Sequence, residues 1–366
     1  MNHLEFLDIL ICPITKEKLN VHSFELTKEK RVKSGVLISK SGYTYPIINY
    51  VPRIFEGAWF FYKNKLMDFQ KELLKLKINN ELNLPTDNFK INVLPTLKRF
   101  QKEWEKHDVS GKTWGWSQSD RIKKYRDYMQ LNDNQYEKKL FLDVGAGTGQ
   151  LTVTLSKELK GIFIGVDLTP GIELGNEIAI KENNTNCYFV QASLMQLPFK
   201  EKLFDFIHAS GVLHHTPNTE FAFKMVEKHT KVNGKFGAWL YRKGNEDIHL
   251  PLVPIIKNPS FQIIKGYKVR KYTTKLNPGL LYNLIFCYCA YFQVFYVLSK
   301  ILKGTKHNQT IKERTTSIFD ALAPTYAHKH TPEEVKNWFI KSNYSSLIVT
   351  DENAENGFNI VGTKKL

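Results

Sequence analysis

Asp143 closes a short apolar run, and Gly145, Gly147 and Gly149 follow it at alternate positions, in K-K-L-F-L-D-V-G-A-G-T-G-Q-L-T from Lys138 to Thr152. Such a turn lets the backbone approach a bulky ligand where any Cβ would collide, and it aims helix N-terminal N–H groups into a cleft. The spacing is G-x-G-x-G with an acid two positions earlier, not the G-x-G-x-x-G of dinucleotide-binding folds. The next strand reads I-F-I-G-V-D, and its terminal Asp167 lies 18 residues beyond Gly149. A carboxylate at that distance is placed to accept hydrogen bonds from both hydroxyls of a ribose. His214 and His215 follow the fourth strand in L-H-H-T-P. A histidine at the carboxyl end of a parallel strand faces the ligand crevice, and its ordinary pKa suits proton removal near neutrality. One of the two is expected to touch substrate.

The elements that must position these groups are legible from their periodicity. Leu140–Val144, too short for a helix, suits a buried parallel strand. Ile162–Asp167, Cys187–Gln191, Phe204–Ala209 and Lys235–Tyr241 continue the series. Helical patterns over Gln150–Leu159, Gly171–Glu182 and Glu220–His229 separate strands and imply crossovers in a parallel, doubly wound α/β sheet.

L-F-L-D-V-G-A-G-T-G, I-G-V-D, L-P-F and F-D-F-I-H-A-S-G-V-L-H-H-T-P resemble the class I S-adenosylmethionine-dependent methyltransferases over roughly Lys138–Tyr241 and again in the C-terminal tail. The resemblance implies a mostly parallel seven-stranded sheet with an antiparallel last strand. It implies that Asp143 and the three glycines cradle the amino acid end of S-adenosyl-L-methionine, that Asp167 holds its ribose and that Leu168 packs on its adenine. Ala192, Ser193 and Leu194 would lie along the adenine edge, and Ser210 would open the floor of the substrate site. Ser193 stands where the family usually has an acid; a hydroxyl there accepts a hydrogen bond but carries no charge. The absence of N/D-P-P-Y after the fourth strand speaks against adenine N6 or glutamine as acceptor. The expected chemistry is in-line transfer of a methyl group to a small-molecule, glycosyl or lipid-like acceptor. A catalytically silent adaptor of the same fold and a nicotinamide oxidoreductase are the alternatives.

The chain has 366 residues with 42% apolar content, enough for a full α/β core and additional modules. Glu5 and Asp8 interrupt the first apolar stretch, so no signal peptide is expected, and four unevenly placed cysteines suit a reducing cytoplasm. Net charge is +16. Between Arg242 and Arg314, thirteen Lys and Arg face only Glu246, Asp247 and Glu313, a net of +10. That concentration points to an anionic partner or surface, with no nucleic-acid signal beyond the charge itself.

Five segments follow. Residues 1–55 resemble the small zinc-ribbon proteins that accompany methyltransferases, with only Cys12 of four ligands present, so the expectation is a ribbon-like module without metal. Residues 56–137 form a helical arm and cofactor cover in which Trp114 and Trp116 flank Gly115, with Trp116 a candidate for lining the cleft. Residues 138–241 are the cofactor-binding core, ending on Tyr241, a substrate candidate. Residues 242–330 are a basic, aromatic helical insertion. Its Leu276–Ser299 stretch lacks any charge, yet the tail must return to the same sheet, which argues against a membrane crossing. A dimer-forming helix pair, or a lid or membrane-surface element around 276–303, is expected instead, with peripheral contact at the inner membrane face. Residues 331–366 supply the last helix, with Thr331, Pro332 and Glu334 as its start signals, and the closing strand pair. Tyr326, His328 and His330 precede that helix as further substrate candidates; two histidines at i, i+2 do not make a metal site.

Overall fold

The computed structural model describes all residues except 77, 79–83, 88, 107–115, 133–135, 245–248, 252–262, 304–309 and 352–355. Trp114 and Gly115 therefore lie outside the described residues. The chain begins with α1 (His3–Asp8), then β1 (Leu19–Leu26), β2 (Val32–Ser39), β3 (Thr44–Ile48) and β4 (Val51–Ile54). The arm holds the short helices α2 (Ala58–Phe61), α3 (Lys63–Leu66) and α4 (Gln70–Lys75), then α5 (Leu94–Lys106) and α6 (Gln118–Met129). The core runs β5 (Leu140–Val144), α7 (Gln150–Leu159), β6 (Ile162–Asp167), α8 (Ile172–Lys181), β7 (Cys187–Ala192), β8 (Phe204–Ser210), α9 (Thr219–Glu227) and β9 (Thr230–Tyr241). The insertion contributes β10 (His249–Pro251), β11 (Ile263–Lys265), α10 (Gly266–Thr273), α11 (Pro278–Lys303) and α12 (Ile311–Leu322). The tail ends in α13 (Pro332–Lys341), β12 (Tyr344–Thr350) and β13 (Gly357–Lys364).

One sheet contains eleven strands in the order β1-β2-β3-β4-β7-β6-β5-β8-β9-β13-β12. Its centre is parallel, β6 and β8 flanking β5 and β9 joining β8, while β13 runs antiparallel to β9 and to β12. Seven of these strands, β7-β6-β5-β8-β9-β13-β12, form the core; the N-terminal module is not a separate sheet as expected, because β4 pairs in parallel with β7 and carries the antiparallel strands β1 to β3 into the same sheet. Both faces of β5 are covered. Leu142 and Val144 enter one apolar cluster and Phe141 the other, as parallel strands between helix layers require. Phe141 stacks on Phe163 at 4.2 Å and on Phe206 at 4.5 Å between ring centroids, which ties three central strands together.

In the last helix, Thr331 caps by accepting from the backbone N–H of Glu334 at 3.1 Å. The Glu334 carboxylate does not return to the cap; it meets His330 Nδ1 at 3.0 Å. Helix α11 packs on α12 around Leu281, Tyr282, Ile285, Cys289 and Phe319. Among the described residues no helix is long and apolar enough to cross a membrane.

Candidate active site

The three glycines all adopt positive φ, +76°, +58° and +72°, so each needs the left-handed region that side chains disfavour. Their surroundings differ. A Cβ on Gly145 would lie 2.7 Å from Val212, and one on Gly147 would lie 2.7 Å from the Trp104 ring of α5. A Cβ on Gly149 would strike Phe189 at 2.5 Å, and Gly149 does not line the cavity. Gly149 thus seats α7 against β7 and is not itself a cradle residue, a correction to the expected set.

Asp143, Gly145, Gly147, Asp167, Leu168, Ala192, Ser193, Leu194 and Ser210 all line one cavity of about 1560 Å³. A pocket for one drug-sized ligand occupies roughly 300–1,000 Å³, so this one has room for two. Asp167 Oδ2 accepts from Gly147 N at 2.9 Å, and Oδ1 accepts from the backbone N–H and the hydroxyl of Thr169, each at 2.8 Å. Burial nonetheless holds its pKa above the usual carboxylate range. Asp143 accepts from Thr152 Oγ1 at 2.5 Å and is pushed up to about 6 by burial, against the pull of that hydrogen bond and of Arg121.

The two histidines part company. His215 lines the cavity, and its Nδ1 meets the Tyr326 carbonyl at 2.7 Å. A carbonyl only accepts, so Nδ1 carries the proton and Nε2 is left as acceptor. Burial lowers its pKa to about 4, which keeps the ring neutral. His214 is fully buried and outside the cavity lining, its ring 4.0 Å from that of Tyr241. Its ring packs behind the cavity with neither nitrogen hydrogen-bonded among the described residues, and burial drives its pKa well down. Tyr241 and Tyr326 line the cavity, whereas His328 and His330 do not: His328 N donates to the His214 carbonyl at 3.0 Å, and His330 is held by Glu334. Trp116 lies at the rim, 46% exposed, with Lys124 Nζ 4.4 Å over its ring.

Among the charged residues that sequence reasoning missed and the fold brings to the same cavity are Glu103 of α5, Arg121 of α6, Arg270 of α10 and Asp320 of α12. Tyr241 donates to Asp320 Oδ2 at 3.3 Å, and Arg270 spans the Ala321 and Pro324 carbonyls. Glu103 is 1% exposed and its Oε1 has no partner among the described residues. Burial, with Asp320 and Asp167 nearby, raises its pKa well above the usual value. A signal existed: Leu97, Phe100, Glu103 and Trp104 share one helical stripe, which puts an acid on a buried face. Among the described residues no group of three or more His, Cys, Asp or Glu could hold a metal ion.

Residues 142–238 match the family model described as a methyltransferase domain. Three curated relatives agree with it. An uncharacterized methyltransferase, C1B3.06c, of Schizosaccharomyces pombe is 34% identical over 112 residues, covering 27% of this chain and 40% of that protein. Cycloartenol-C-24-methyltransferase of Arabidopsis thaliana is 25% identical over 130 residues, 34% of this chain and 38% of that protein. Demethylmenaquinone methyltransferase of Shouchella clausii is 26% identical over 169 residues, 45% of this chain and 68% of that protein. The chain thus spans about two fifths of the first two relatives. Residues 142–238 are thus similar to a methyltransferase domain, and the methyl donor that this similarity indicates is S-adenosylmethionine. The donor fits the residues present: a glycine turn that a Cβ would obstruct, a carboxylate ending β6, and the Asp143–Arg121 pair of opposite charge suited to an amino acid's ammonium and carboxylate.

Proposed function

We propose that the whole chain is an S-adenosylmethionine-dependent methyltransferase acting on a small-molecule, glycosyl or lipid-like acceptor. The observation that carries this reading is a single cavity in which the glycine turn, Asp143 and Asp167 are continuous with an acid–base wall of His215, Tyr241, Asp320 and Glu103. Bound there, the donor supplies an electrophilic methyl group. Asp143 and Arg121 hold its amino acid end, Asp167 its ribose, and Leu168, Ala192, Ser193 and Leu194 its base. Helix α5 covers the glycine turn through Trp104 and excludes water. His215 Nε2, free as an acceptor with Nδ1 anchored on Tyr326, takes the acceptor's proton; with its pKa lowered to about 4 it is a weaker base than its ordinary value implies, and positioning supplies most of the rate. Relatives named for cycloartenol and demethylmenaquinone support an apolar acceptor. So do Leu280, Leu284, Tyr291 and Val294, exposed apolar residues of α11, which make the insertion a membrane-surface element in this reading.

The test is thermal stability with S-adenosylhomocysteine. Ligand at about 100 times its Kd should add roughly 2.7 kcal/mol. The shift should vanish in Asp167→Ala. No shift in the unmodified protein would favour an adaptor that keeps the fold for docking.

A further inference from the structure

Strand β4 lies parallel to β7 with Arg53 opposite Gln191 and Ile54 opposite Ala192. Phe55 and Glu56 follow the end of β4, and Ser193 and Leu194 follow the end of β7, so both segments leave the sheet at the same edge, where the crevice opens. Phe55, Glu56, Leu168, Ser193 and Leu194 all line the cavity, and Phe55 shares an apolar cluster with Leu168. An apolar slot beyond the ribose carboxylate suits a purine base, whose exocyclic amino group needs an acceptor at the wall.

The neighbouring side-chain acceptors are neutral and wholly or partly engaged. Gln191 Oε1 takes Arg53 Nη1 at 3.0 Å and the Tyr62 hydroxyl at 2.6 Å, while its amide donates to the Leu168 carbonyl at 2.8 Å. Ser193 Oγ accepts from Met195 N at 3.3 Å. Glu56 differs. Its Oε1 accepts from Thr86 N at 2.5 Å, and no partner of Oε2 is found among the described residues. The docking that delivers it is rigid, because Arg53, wholly buried, also pairs with Glu173 at 2.7 Å and donates to the Ile48 carbonyl at 3.1 Å.

We propose that the end of the N-terminal module completes the donor pocket, and that Glu56, the first residue after it, accepts the exocyclic amino group of the adenine at the position where Ser193 carries no charge. This rests on reading the cavity as a site for S-adenosylmethionine. The module is then part of the binding site, not an appended domain.

The decisive measurement is calorimetric binding by the full chain of S-adenosylhomocysteine and of S-inosylhomocysteine, in which an oxygen acceptor replaces the amino donor. Wild type should prefer the adenine ligand by about ten- to a hundredfold, the range of one hydrogen bond to a charged group. Glu56→Gln, whose amide can donate to the hypoxanthine oxygen, should collapse or invert that preference. Glu56→Ala should lose adenine affinity without gaining inosine affinity. An unliganded melting temperature matching wild type establishes that the variants fold. A preference unmoved by Glu56→Gln overturns the proposal alone; binding of neither ligand by wild type overturns the methyltransferase reading and the proposal with it.

Discussion

Asp143 shows how burial turns a carboxylate into a reporter. Its pKa, pushed up to about 6, exceeds the ordinary 3.8, so the folded protein binds more protons than the unfolded chain between those values. This group's contribution to stability therefore falls as pH rises from about 4 to about 6, then stays constant. Ligand binding runs the other way, because an ammonium group needs the ionised form. The Kd for S-adenosylhomocysteine should fall as pH rises from 5 to 7, by up to about tenfold if the single ionisation controls it. Asp143→Asn should weaken binding and flatten the profile. Calorimetric titrations at pH 5, 6 and 7 decide it, and a wild-type Kd that is flat across this range would rule Asp143 out as the ammonium ligand.

Helix α5 lies over the glycine turn with a buried acid, Glu103, on its inner face, and that placement has a measurable cost. Burial, with Asp320 and Asp167 nearby, holds the folded pKa of Glu103 well above its ordinary value, so the folded protein keeps this proton to higher pH than the unfolded chain does. Stability should drop by about 1.4 kcal/mol for each pH unit above 4.5, until the folded group ionises. Glu103→Gln mimics the neutral acid and should stabilise the protein, more at pH 8 than at pH 6. Urea unfolding at the two values measures this; a variant less stable than wild type at pH 8 would mean the carboxylate is charged and paired. The same helix marks the limit of what the sequence reveals. The glycine turn, Asp167 and the strand series are encoded within a few residues of themselves, and so they could be read. Glu103 and Asp320 meet only because two separate helices converge, and β4 joins β7 across more than a hundred residues. Non-local pairing leaves no local period. His214 and His215 show the same limit at one step of sequence: adjacent residues of one type, separated only by which side of a short turn reaches the cavity.

For the molecule as a whole, the question is what the insertion does with its charge and its exposed apolar surface. Leu280, Leu284, Tyr291 and Val294 of α11 are each at least half exposed, and Cys287 is exposed between them. Their spacing of four, three, four and three residues makes one helical stripe. The opposite side packs on α12, so the stripe faces outward. The thirteen cations between Arg242 and Arg314 belong to the same segment. A basic, apolar helix surface binds an anionic interface through apolar burial plus charge attraction, and neither term alone is enough. Full-length protein should therefore co-sediment with phosphatidylglycerol-containing vesicles and not with purely phosphatidylcholine vesicles. Raising salt from 0.1 to 1 M shortens the Debye length from about 10 to 3 Å and should release most of it. Leu284→Glu with Tyr291→Glu should abolish sedimentation while leaving S-adenosylhomocysteine binding intact, since neither residue lines the cavity. If the double variant instead changes the molecular mass in solution from dimer to monomer, with vesicle binding absent in both proteins, the stripe is a self-association face and the acceptor reaches the cavity from water.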